Sequence, residues 1–358
     1  MHKRGWQSAL AVLGLTLTAL AVTPATANAA PRPLPATSSG SLIQSTFGKR
    51  GNFEYVTADN TGVGLLHWWR DNDAPGNPWH GPEHVLKNLT GVQRPISIIQ
   101  NRQNGNLEGI APVGRAPHTE LRHFYRDKNG WHAGVTLPGA TSMYGNGALI
   151  QSASGNFEVV AASFGHGLMH WWRNNHTAGN PWSAPTFIQP SGNQYFSGVA
   201  LIQSGNFGGN LDVVATTRNG RVIGADLAHF YRDGHGWHGP TMLTKSGFVR
   251  IGTPALIQST FGKRGNFEVA APYVGGGVGV WYRNNDASGY PWSPGNLRDN
   301  TVEFGNGTTY QNVSVIQSHG WSGPGNFDVI AQQPNGVRGE YWRDNAGSKL
   351  PWRQSMAP

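Results

Sequence analysis

Tryptophan, histidine and arginine recur at matching positions along this 358-residue chain, in a pattern that suits the binding of a polar, ring-shaped ligand. Six tryptophans follow Pro or Gly in loops: Trp79, Trp131, Trp182, Trp237, Trp292 and Trp352. Four histidines share one position in an aromatic stretch: His67, His123, His170 and His229. Arginines end these four stretches: Arg70, Arg126, Arg173 and Arg232. An indole offers a flat apolar face with one N–H donor, and His and Arg add further hydrogen bonds. We therefore interpret the three sets as candidate ligand-binding residues.

An acidic residue accompanies the arginine in every unit. It stands two residues after the Asn of a Gly-Asn pair, and the six are Glu54, Glu108, Glu158, Asp212, Glu268 and Asp328. A carboxylate and a guanidinium in each unit predict a buried or half-buried ion pair within that unit. An enzyme normally has one copy of each catalytic group, whereas these pairs occur once in every unit. The pattern therefore favours a structural role for the pairs. The arginines also remain candidates for contact with a ligand.

A repeated element positions all of these residues. Its marker is an Ile-Gln pair, and the glutamines are Gln44, Gln100, Gln151, Gln203, Gln258 and Gln317, at spacings of 56, 51, 52, 55 and 59 residues. In the third unit, the sequence predicts strands over 148–152, 156–162, 167–173 and 184–189. Four short strands with a period near fifty are typical of propeller blades. We predict an all-β, six-bladed β-propeller with four antiparallel strands per blade, the repeats starting near residues 41, 97, 148, 200, 255 and 314.

The aromatic strand and the loop after it add two expectations. In the run from Leu66 to Arg70, strand alternation places His67 and the second aromatic on one face, and the first aromatic and the arginine on the other. The following loop is long in units one, three, five and six and short in units two and four, as though a two-blade piece had been duplicated. Little chain follows Trp352, so either residues 31–40 supply a closing strand or the last blade has three strands.

The N-terminus has a different composition. A basic start, an apolar run over 9–22 and a small-residue site at Ala27–Ala29 predict a secretory signal peptide over 1–29. The apolar run is shorter than the roughly 20 residues that span a membrane. We expect a disordered leader over 30–40 and one propeller domain over 41–358, in a secreted, extracellular bacterial protein without a membrane span after the signal is removed. Since the chain has no cysteine, packing must hold it together without disulfides.

Charge and motifs exclude several function classes. The formal net charge of +8 is scattered along the chain with no Lys/Arg run, whereas a nucleic-acid groove normally shows a basic stripe. We therefore expect no nucleic-acid partner. The sequence contains no HExxH motif, and its Asp/Asn-rich loops lack the closing acid of a calcium loop. We expect neither a metal nor a cofactor.

The third unit resembles a known family. Its segments Gly155–Glu158, Gly167–Trp172 and Pro181–Ser183 look like the blades of bacterial propeller lectins of the Photorhabdus fucose-binding type. The resemblance is one of pattern and extends over all six units. It implies sugar pockets between adjacent blades of a seven-bladed ring, whereas the repeat count in this sequence predicts six blades.

The sequence thus favours a monomeric, lectin-like protein that binds glycans through several equivalent pockets between blades, and not an enzyme. Two alternatives stay open. A glycoside hydrolase or polysaccharide lyase would have one asymmetric site, and the residues outside the repeat positions that suit it are Glu83, Glu120, Asp226, Asp299, Glu303 and Glu340 for a hydrolase and His118, His166, Tyr144 and Tyr195 for a lyase. A protein-interaction scaffold fits the same fold and predicts no sugar binding.

Overall fold

The computed structural model describes residues 40–358 except 94, 116–117, 166, 190–193, 220–224, 245–251, 274–275, 294–301, 321–322 and 347–350. The predicted signal peptide and residues 30–39 of the predicted leader lie outside the described residues. The described residues form six antiparallel sheets arranged as the blades of a ring. The predicted six-bladed all-β propeller is therefore confirmed. No helix in the described part of the chain is long and apolar enough to cross a membrane.

Each blade is a meander in which the order along the chain is the order in the sheet. Blades 1 to 3 consist of β1 Leu42–Gln44, β2 Phe53–Ala58, β3 Val63–Arg70 and β4 Trp79–Thr90; β5 Ser97–Gln100, β6 Leu107–Val113, β7 Glu120–Asp127 and β8 Gly130–Thr136; β9 Met143–Gln151, β10 Phe157–Ser163, β11 Gly167–Arg173 and β12 Thr186–Gln189. Blades 4 to 6 consist of β13 Gln194–Gln203, β14 Leu211–Asn219, β15 Ala225–Asp233 and β16 Gly236–Met242; β17 Ala255–Gln258, β18 Phe267–Pro272 and β19 Val278–Arg283; β20 Asn312–Gln317, β21 Phe327–Gln332, β22 Arg338–Arg343 and β23 Trp352–Ser355. Blade 5 thus has three strands among the described residues.

The core lies between the blades. All residues of the second strands β2, β10, β18 and β21 are buried. Such a strand is covered on both faces, which explains its nearly continuous apolar sequence. The hydrophobic clusters of the described residues each combine two adjacent blades, one cluster for each of the six boundaries. A single blade therefore cannot bury its own faces, and stability depends on the ring.

The glutamine of each Ile-Gln pair links neighbouring blades. Its Oε1 accepts a hydrogen bond of 2.5–2.8 Å from a backbone N–H of the preceding blade. The six donors are Thr46, Arg102, Ala153, Gly205, Thr260 and His319. Its Nε2 donates to the carbonyl of the glycine in its own turn, at 2.8–3.5 Å. The glutamine that marks each repeat in the sequence thus hydrogen-bonds its own turn to the preceding blade. We call these hydrogen bonds the clasp.

The glycine of each Gly-Asn pair is required by the turn that the clasp holds. Gly51 and Gly265 have φ of 77° and 69°. A Cβ added to them would lie 2.3 Å from the carbonyl oxygen of Ser45 and 2.4 Å from that of Ser259. Only glycine combines this conformation with so close an approach.

Among the described residues, side-chain hydrogen bonds close the ring; the alternative of a closing strand from residues 31–40 falls, apart from Gly40, outside the described residues. β23 gives blade 6 its own fourth strand, so the alternative of a three-stranded last blade is wrong. Gln44 of blade 1 makes two hydrogen bonds to the backbone of His319 in blade 6: its Nε2 donates to His319 O and its Oε1 accepts from His319 N, each at 2.8 Å. Ser41 N also donates to Ser314 Oγ at 2.8 Å. The boundary between the last and first blades is therefore built like the other five.

We expect Gln203→Glu to destabilise the fold. Gln203 Nε2 donates to Gly209 O at 2.8 Å, and the substitution replaces this donor with a carboxylate oxygen facing a carbonyl. The expected loss is about 1–3 kcal/mol, seen as a lower urea midpoint at an unchanged m value. Gln354→Glu in the exposed strand β23 makes the same chemical change outside a clasp and serves as the control. Equal midpoints for the two variants would show that the clasp does not stabilise the ring.

Candidate functional site

The carboxylate and the histidine of one blade form a buried pair. Glu54 Oε2 lies 2.8 Å from His67 Nε2. The equivalent pairs are Glu108–His123 at 2.7 Å, Glu158–His170 at 2.8 Å and Asp212–His229 at 2.8 Å. Strand register sets Glu54 opposite Trp69 and Val56 opposite His67, so the acid, the histidine and the second aromatic project from one face. The predicted placement of His67 and Trp69 on a shared face is confirmed.

The loop tryptophan of the next blade completes this group. Trp131 of blade 2 lies edge-on to His67 of blade 1, with ring centroids 5.2 Å apart. The equivalent contacts are His123–Trp182 at 6.0 Å, His170–Trp237 at 5.5 Å and His229–Trp292 at 5.5 Å. The structure thus brings together candidate residues from two adjacent units at each of these four boundaries. We name the boundaries interfaces 1/2, 2/3, 3/4, 4/5, 5/6 and 6/1 after the blades that form them.

Four arginines lie on the opposite face of their blades; Arg173 and Arg283 are buried, and Arg70 and Arg343 are half-buried. The guanidinium of Arg173 lies 3.9 Å from the ring centroid of Phe157, and its Nε donates to Asn175 Oδ1 at 2.6 Å. Its Nη2 lies 3.7 Å from Oε1 of Glu108 in the preceding blade. The arrangement recurs for Arg70 over Phe53, Arg283 over Phe267 and Arg343 over Phe327. The predicted ion pair within each unit is therefore wrong, because strand alternation turns the arginine away from its own acid and towards that of the preceding blade.

Arg126 and Arg232 lack the groups that hold the other four. In blade 2, Leu107 replaces the phenylalanine, and Asp127 follows the arginine directly. His132 donates to Asp127 at 2.9 Å and lowers the pKa of that carboxyl group. Blade 4 repeats this with Leu211, Asp233 and His238. Arg126 is half-buried, Arg232 is exposed, and neither has a carboxylate within ion-pair distance in the described part of the chain.

Interfaces 1/2 and 3/4 consequently receive no guanidinium within ion-pair distance of their carboxylate–histidine pairs, as far as residues 40–358 are described. We call them the arginine-free interfaces, because no arginine among the described residues pairs with their carboxylate; Arg126 and Arg232 belong to these interfaces but do not reach it. At interface 1/2, Trp131 Nε1 and His67 Nδ1 are buried without a hydrogen-bond partner. Glu83 Oε2 lies 3.8 Å from this Nδ1 and is largely exposed. At interface 3/4 the equivalent positions hold Glu158, His170 and Trp237.

Near its end, the third strand of each blade has two aromatic residues followed by arginine. Another side chain stacks on the second of these aromatics in four blades, and no side chain among the described residues does so in the other two. His80 stacks on Trp69 with centroids 4.1 Å apart, and the same cover occurs for Tyr125 under His132, Tyr231 under His238 and Trp342 under Arg353. Ser183 and Ser293 stand in place of the cover in blades 3 and 5. Trp172 and Tyr282 are accordingly 40% and 47% exposed. The identity of the residue directly after the loop tryptophan therefore decides whether this aromatic is covered, and it can be read from the sequence.

The last two interfaces depart from the pattern. Val280 occupies the histidine position of blade 5, and burial raises the pKa of Glu268 to about 7. In blade 6 that position is Glu340, which accepts hydrogen bonds from Arg70 Nη1 at 2.7 Å and Trp79 Nε1 at 3.0 Å. Burial raises the pKa of Glu340 and raises that of Asp328 to about 6. Interface 6/1 therefore holds a second carboxylate, buried with the first around one guanidinium.

The residues considered for an enzyme are scattered over the described part of the chain. Glu120 accepts from Thr136 Oγ1 and Asp226 from Thr244 Oγ1, whereas Asp299 and His166 lie outside the described residues. Tyr144 and Tyr195 flank Phe164 in an exposed aromatic cluster, with centroids 6.4 and 6.5 Å from it. Glu340 is the acid of this set that lies next to another carboxylate.

Comparisons with known proteins support the fold. No protein-family model and no curated protein sequence matches the chain. Among solved structures, it is similar to the BP39L lectin from Burkholderia pseudomallei, with a TM-score of 0.59, 17% identity, and 89% of this chain and 85% of that chain covered. It is also similar to the six-bladed fungal lectin from Aleuria aurantia, which has a fucose recognition mode (TM-score 0.53, 13% identity, 90% and 95% covered). A polysaccharide lyase that is an ulvan lyase matches as well (TM-score 0.53, 10% identity, 90% and 85% covered).

We expect Glu268→Gln to stabilise the protein at pH 8. The raised pKa means that folded Glu268 keeps its proton up to about pH 7, while the unfolded chain loses it near pH 4.5. Stability therefore falls as pH rises between these values, and Gln, which resembles the protonated acid, avoids the loss. The expected gain at pH 8 is about 1–3 kcal/mol in the free energy of unfolding, vanishing below pH 4.5.

Glu54→Gln is the matched control, because Leu42–Glu54 and Leu256–Glu268 have the same sequence. Glu54 is paired with His67, so its loss should destabilise the fold at pH 8. Urea unfolding at pH 4 and pH 8 measures both variants. A change of the same sign for both at pH 8 would contradict the distinction between the two carboxylates.

Proposed function

We propose that the protein binds neutral sugar units of glycans at the two arginine-free interfaces. The observation that carries the proposal is the group formed there by the carboxylate–histidine pair of one blade and the loop tryptophan of the next, with no guanidinium on the carboxylate. At interface 1/2 this group includes the unpaired N–H of Trp131 and the unpaired Nδ1 of His67. A buried polar group without a partner costs about 1–3 kcal/mol, which a ligand hydroxyl at that point would recover.

The surrounding side chains fit a sugar ring. Aromatic faces match the C–H face of such a ring, and Trp172 at interface 3/4 is bare on the same blade face as His170. Arg126 and Arg232 stand opposite Trp131 and Trp237 in the strand register, and their side chains are half-buried and exposed, respectively. They would donate to ring hydroxyls, while the buried pair below fixes the orientation of the ring.

The other candidate residues have a different part in this proposal. Trp182 and Trp292 meet His123 and His229 at interfaces that contain Arg173 or Arg283, and Trp79 and Trp352 lie at interfaces 6/1 and 5/6 beside Arg70 and Arg343. Each of these guanidinium groups contacts a phenylalanine ring and an asparagine, and those of Arg70, Arg173 and Arg283 also contact a carboxylate, which leaves them few free donors for a ligand. We assign these residues to packing.

The structural neighbours support a sugar as the ligand class. Two of them are lectins, and the Aleuria aurantia protein recognises fucose. We therefore take fucose as the first probe, for a secreted and monomeric protein whose partners are glycans. Two sites on one chain would strengthen attachment to a surface that displays many copies of the sugar.

The partners and the burial of the carboxylates favour binding over catalysis. Glu54 and Glu158 are each held by a histidine in two equivalent positions, whereas a hydrolase needs one pair of carboxylates about 5–10 Å apart with access to water. The asymmetric acids Asp328 and Glu340 are buried around Arg70. They suit the closure of the ring better than a reaction on a glycan.

Calorimetric titration of residues 30–358 with fucose, or with the best ligand from a glycan array, should give two sites per chain. Arg126→Ala and Arg232→Ala should each reduce the stoichiometry to one, and the double variant should not bind. Arg353→Ala removes another exposed arginine, in blade 6, and should change nothing. A stoichiometry of six, or an unchanged stoichiometry in the double variant, would overturn the assignment to interfaces 1/2 and 3/4.

Trp131→Phe tests the unpaired N–H directly, because it keeps an aromatic ring in place and removes the donor. We expect affinity at one of the two sites to fall about tenfold. Trp182→Phe is the same change at interface 2/3, where the indole N–H is also unpaired but Arg173 fills the space, and it should leave binding intact. Equal effects of the two substitutions would contradict the difference between the two kinds of interface.

A further inference from the structure

A polar cleft of about 470 Å³ opens at the other end of the strands. It lies where the β2–β3 turn over 59–62, the connection over 91–93 and the end of β6 at 114–115 meet, with Gln311 and Pro334 of the blade 6 region on its far side. Glu54 stands near the start of β2 and Asp59 follows its end, which separates their Cα atoms by about 17 Å of extended chain. The cleft is thus distinct from the carboxylate–histidine group of blade 1.

Backbone hydrogen bonds hold the walls of this cleft in place. Val92 N donates to Gly62 O at 3.1 Å, and Gly114 N donates to Gly91 O at 2.9 Å. Gln93 N donates to Pro112 O at 2.8 Å, which fastens the connection to blade 2. Gly91 has φ of 73°, and a Cβ there would lie 3.1 Å from Gly114 N. The cleft is therefore preformed, with a wall of glycine backbone that a ligand can approach closely.

Apart from the glycines, six of the eight residues that line the cleft have polar or charged side chains, and the other two are Val92 and Pro334. Arg115 is exposed and has no carboxylate within ion-pair distance among the described residues. Gln93 Nε2 donates to Gly114 O, which leaves its Oε1 as an acceptor. Asp59 Oδ1 accepts from the N–H and the hydroxyl of Thr61. Gln311 contributes a second carboxamide. No aromatic side chain is among the described residues that line the cleft.

We propose that this cleft binds an acidic sugar unit of the uronic acid type, with its carboxylate on Arg115. A guanidinium with free donors recognises a carboxylate through two parallel hydrogen bonds. The carboxamide oxygens of Gln93 and Gln311 beside it accept from ring hydroxyls, and the volume lies within the usual range of small-molecule sites. The proposal rests on the proposed function only in taking a saccharide as the ligand, because its residues, its location and the charge of its ligand all differ.

Titration with glucuronic acid, glucose and fucose, followed by ligand-observed NMR and calorimetry, tests the proposal. We expect glucuronic acid to bind at one site per chain and glucose, which lacks the carboxylate, to bind at least tenfold more weakly. Arg115→Gln should weaken glucuronic acid about tenfold or more and leave fucose unaffected. Lys128→Gln removes the same charge from an exposed hairpin of blade 2 and should leave the affinity for glucuronic acid unchanged.

Gln311→Glu is a second variant, at an exposed side chain whose backbone carries the local hydrogen bonds. Its added carboxylate should repel glucuronic acid while leaving the fold intact. Unchanged affinity in both Arg115→Gln and Gln311→Glu would overturn the proposal, as would equal binding of glucose. Loss of glucuronic acid binding in the Arg126→Ala, Arg232→Ala double variant would also overturn it, by moving that ligand to the arginine-free interfaces. Absence of glucuronic acid binding in a chain that still binds fucose would refute this cleft alone, and absence of fucose binding alone would refute only the arginine-free interfaces.

Discussion

The charge of a carboxylate buried between two blades needs a hydrogen-bond donor or a positive charge beside it. Which partner each interface supplies decides much of the remaining structure. In blades 1 to 4 the acid is paired with a histidine of its own blade, as in Glu54–His67. At interfaces 2/3, 4/5 and 6/1 a guanidinium from the next blade approaches as well. Where Val280 replaces the histidine, burial dominates and the pKa of Glu268 rises to about 7. Identical local sequence around Glu54 and Glu268 thus leads to different electrostatics, because the partners come from other strands.

The two kinds of blade follow from what a buried guanidinium requires. It needs a flat ring to lie on, an oxygen to fix its Nε and an anion ahead of it, which Phe157, Asn175 and Glu108 supply for Arg173. The long loop provides the asparagine, whose Nδ2 in turn donates to the turn glycine, at 2.8 Å for Asn175 and Gly155. Blades 2 and 4 lack both the ring and the asparagine, and their arginines, half-buried Arg126 and exposed Arg232, pair with no carboxylate among the described residues. The long loop, the phenylalanine and the packed arginine therefore occur together in blades 1, 3, 5 and 6 and are all missing from blades 2 and 4.

Much of the fold was predictable because it depends on periods along the chain. The Ile-Gln spacing predicts six blades, and alternation predicts which side chains share a face with His67. Alternation does not say which neighbouring blade that face meets, and so the sequence suggested an ion pair within each unit where the structure pairs Arg173 with Glu108 of another blade. The difference between bare Trp172 and covered Trp69 depends on a single residue, Ser183 or His80, next to the loop tryptophan. The polar cleft joins Asp59 and Gln311, whose proximity no local pattern encodes.

Filling an interface and leaving it able to bind a ligand are competing uses of the same space. An arginine that reaches a phenylalanine ring, an asparagine and a carboxylate stabilises the ring of blades and leaves little for a ligand to contact. At interface 1/2, the Trp131 N–H and the His67 Nδ1 have no hydrogen-bond partner, at a cost in stability; at interface 2/3 the Trp182 N–H is unpaired as well, but Arg173 packs beside it. A chain with six identical interfaces would have to choose one use for all of them. In the function proposed here, the alternation of long and short loops in blades 1 to 4 serves both uses: the interfaces with a packed arginine stabilise the ring, and interfaces 1/2 and 3/4 bind the sugar.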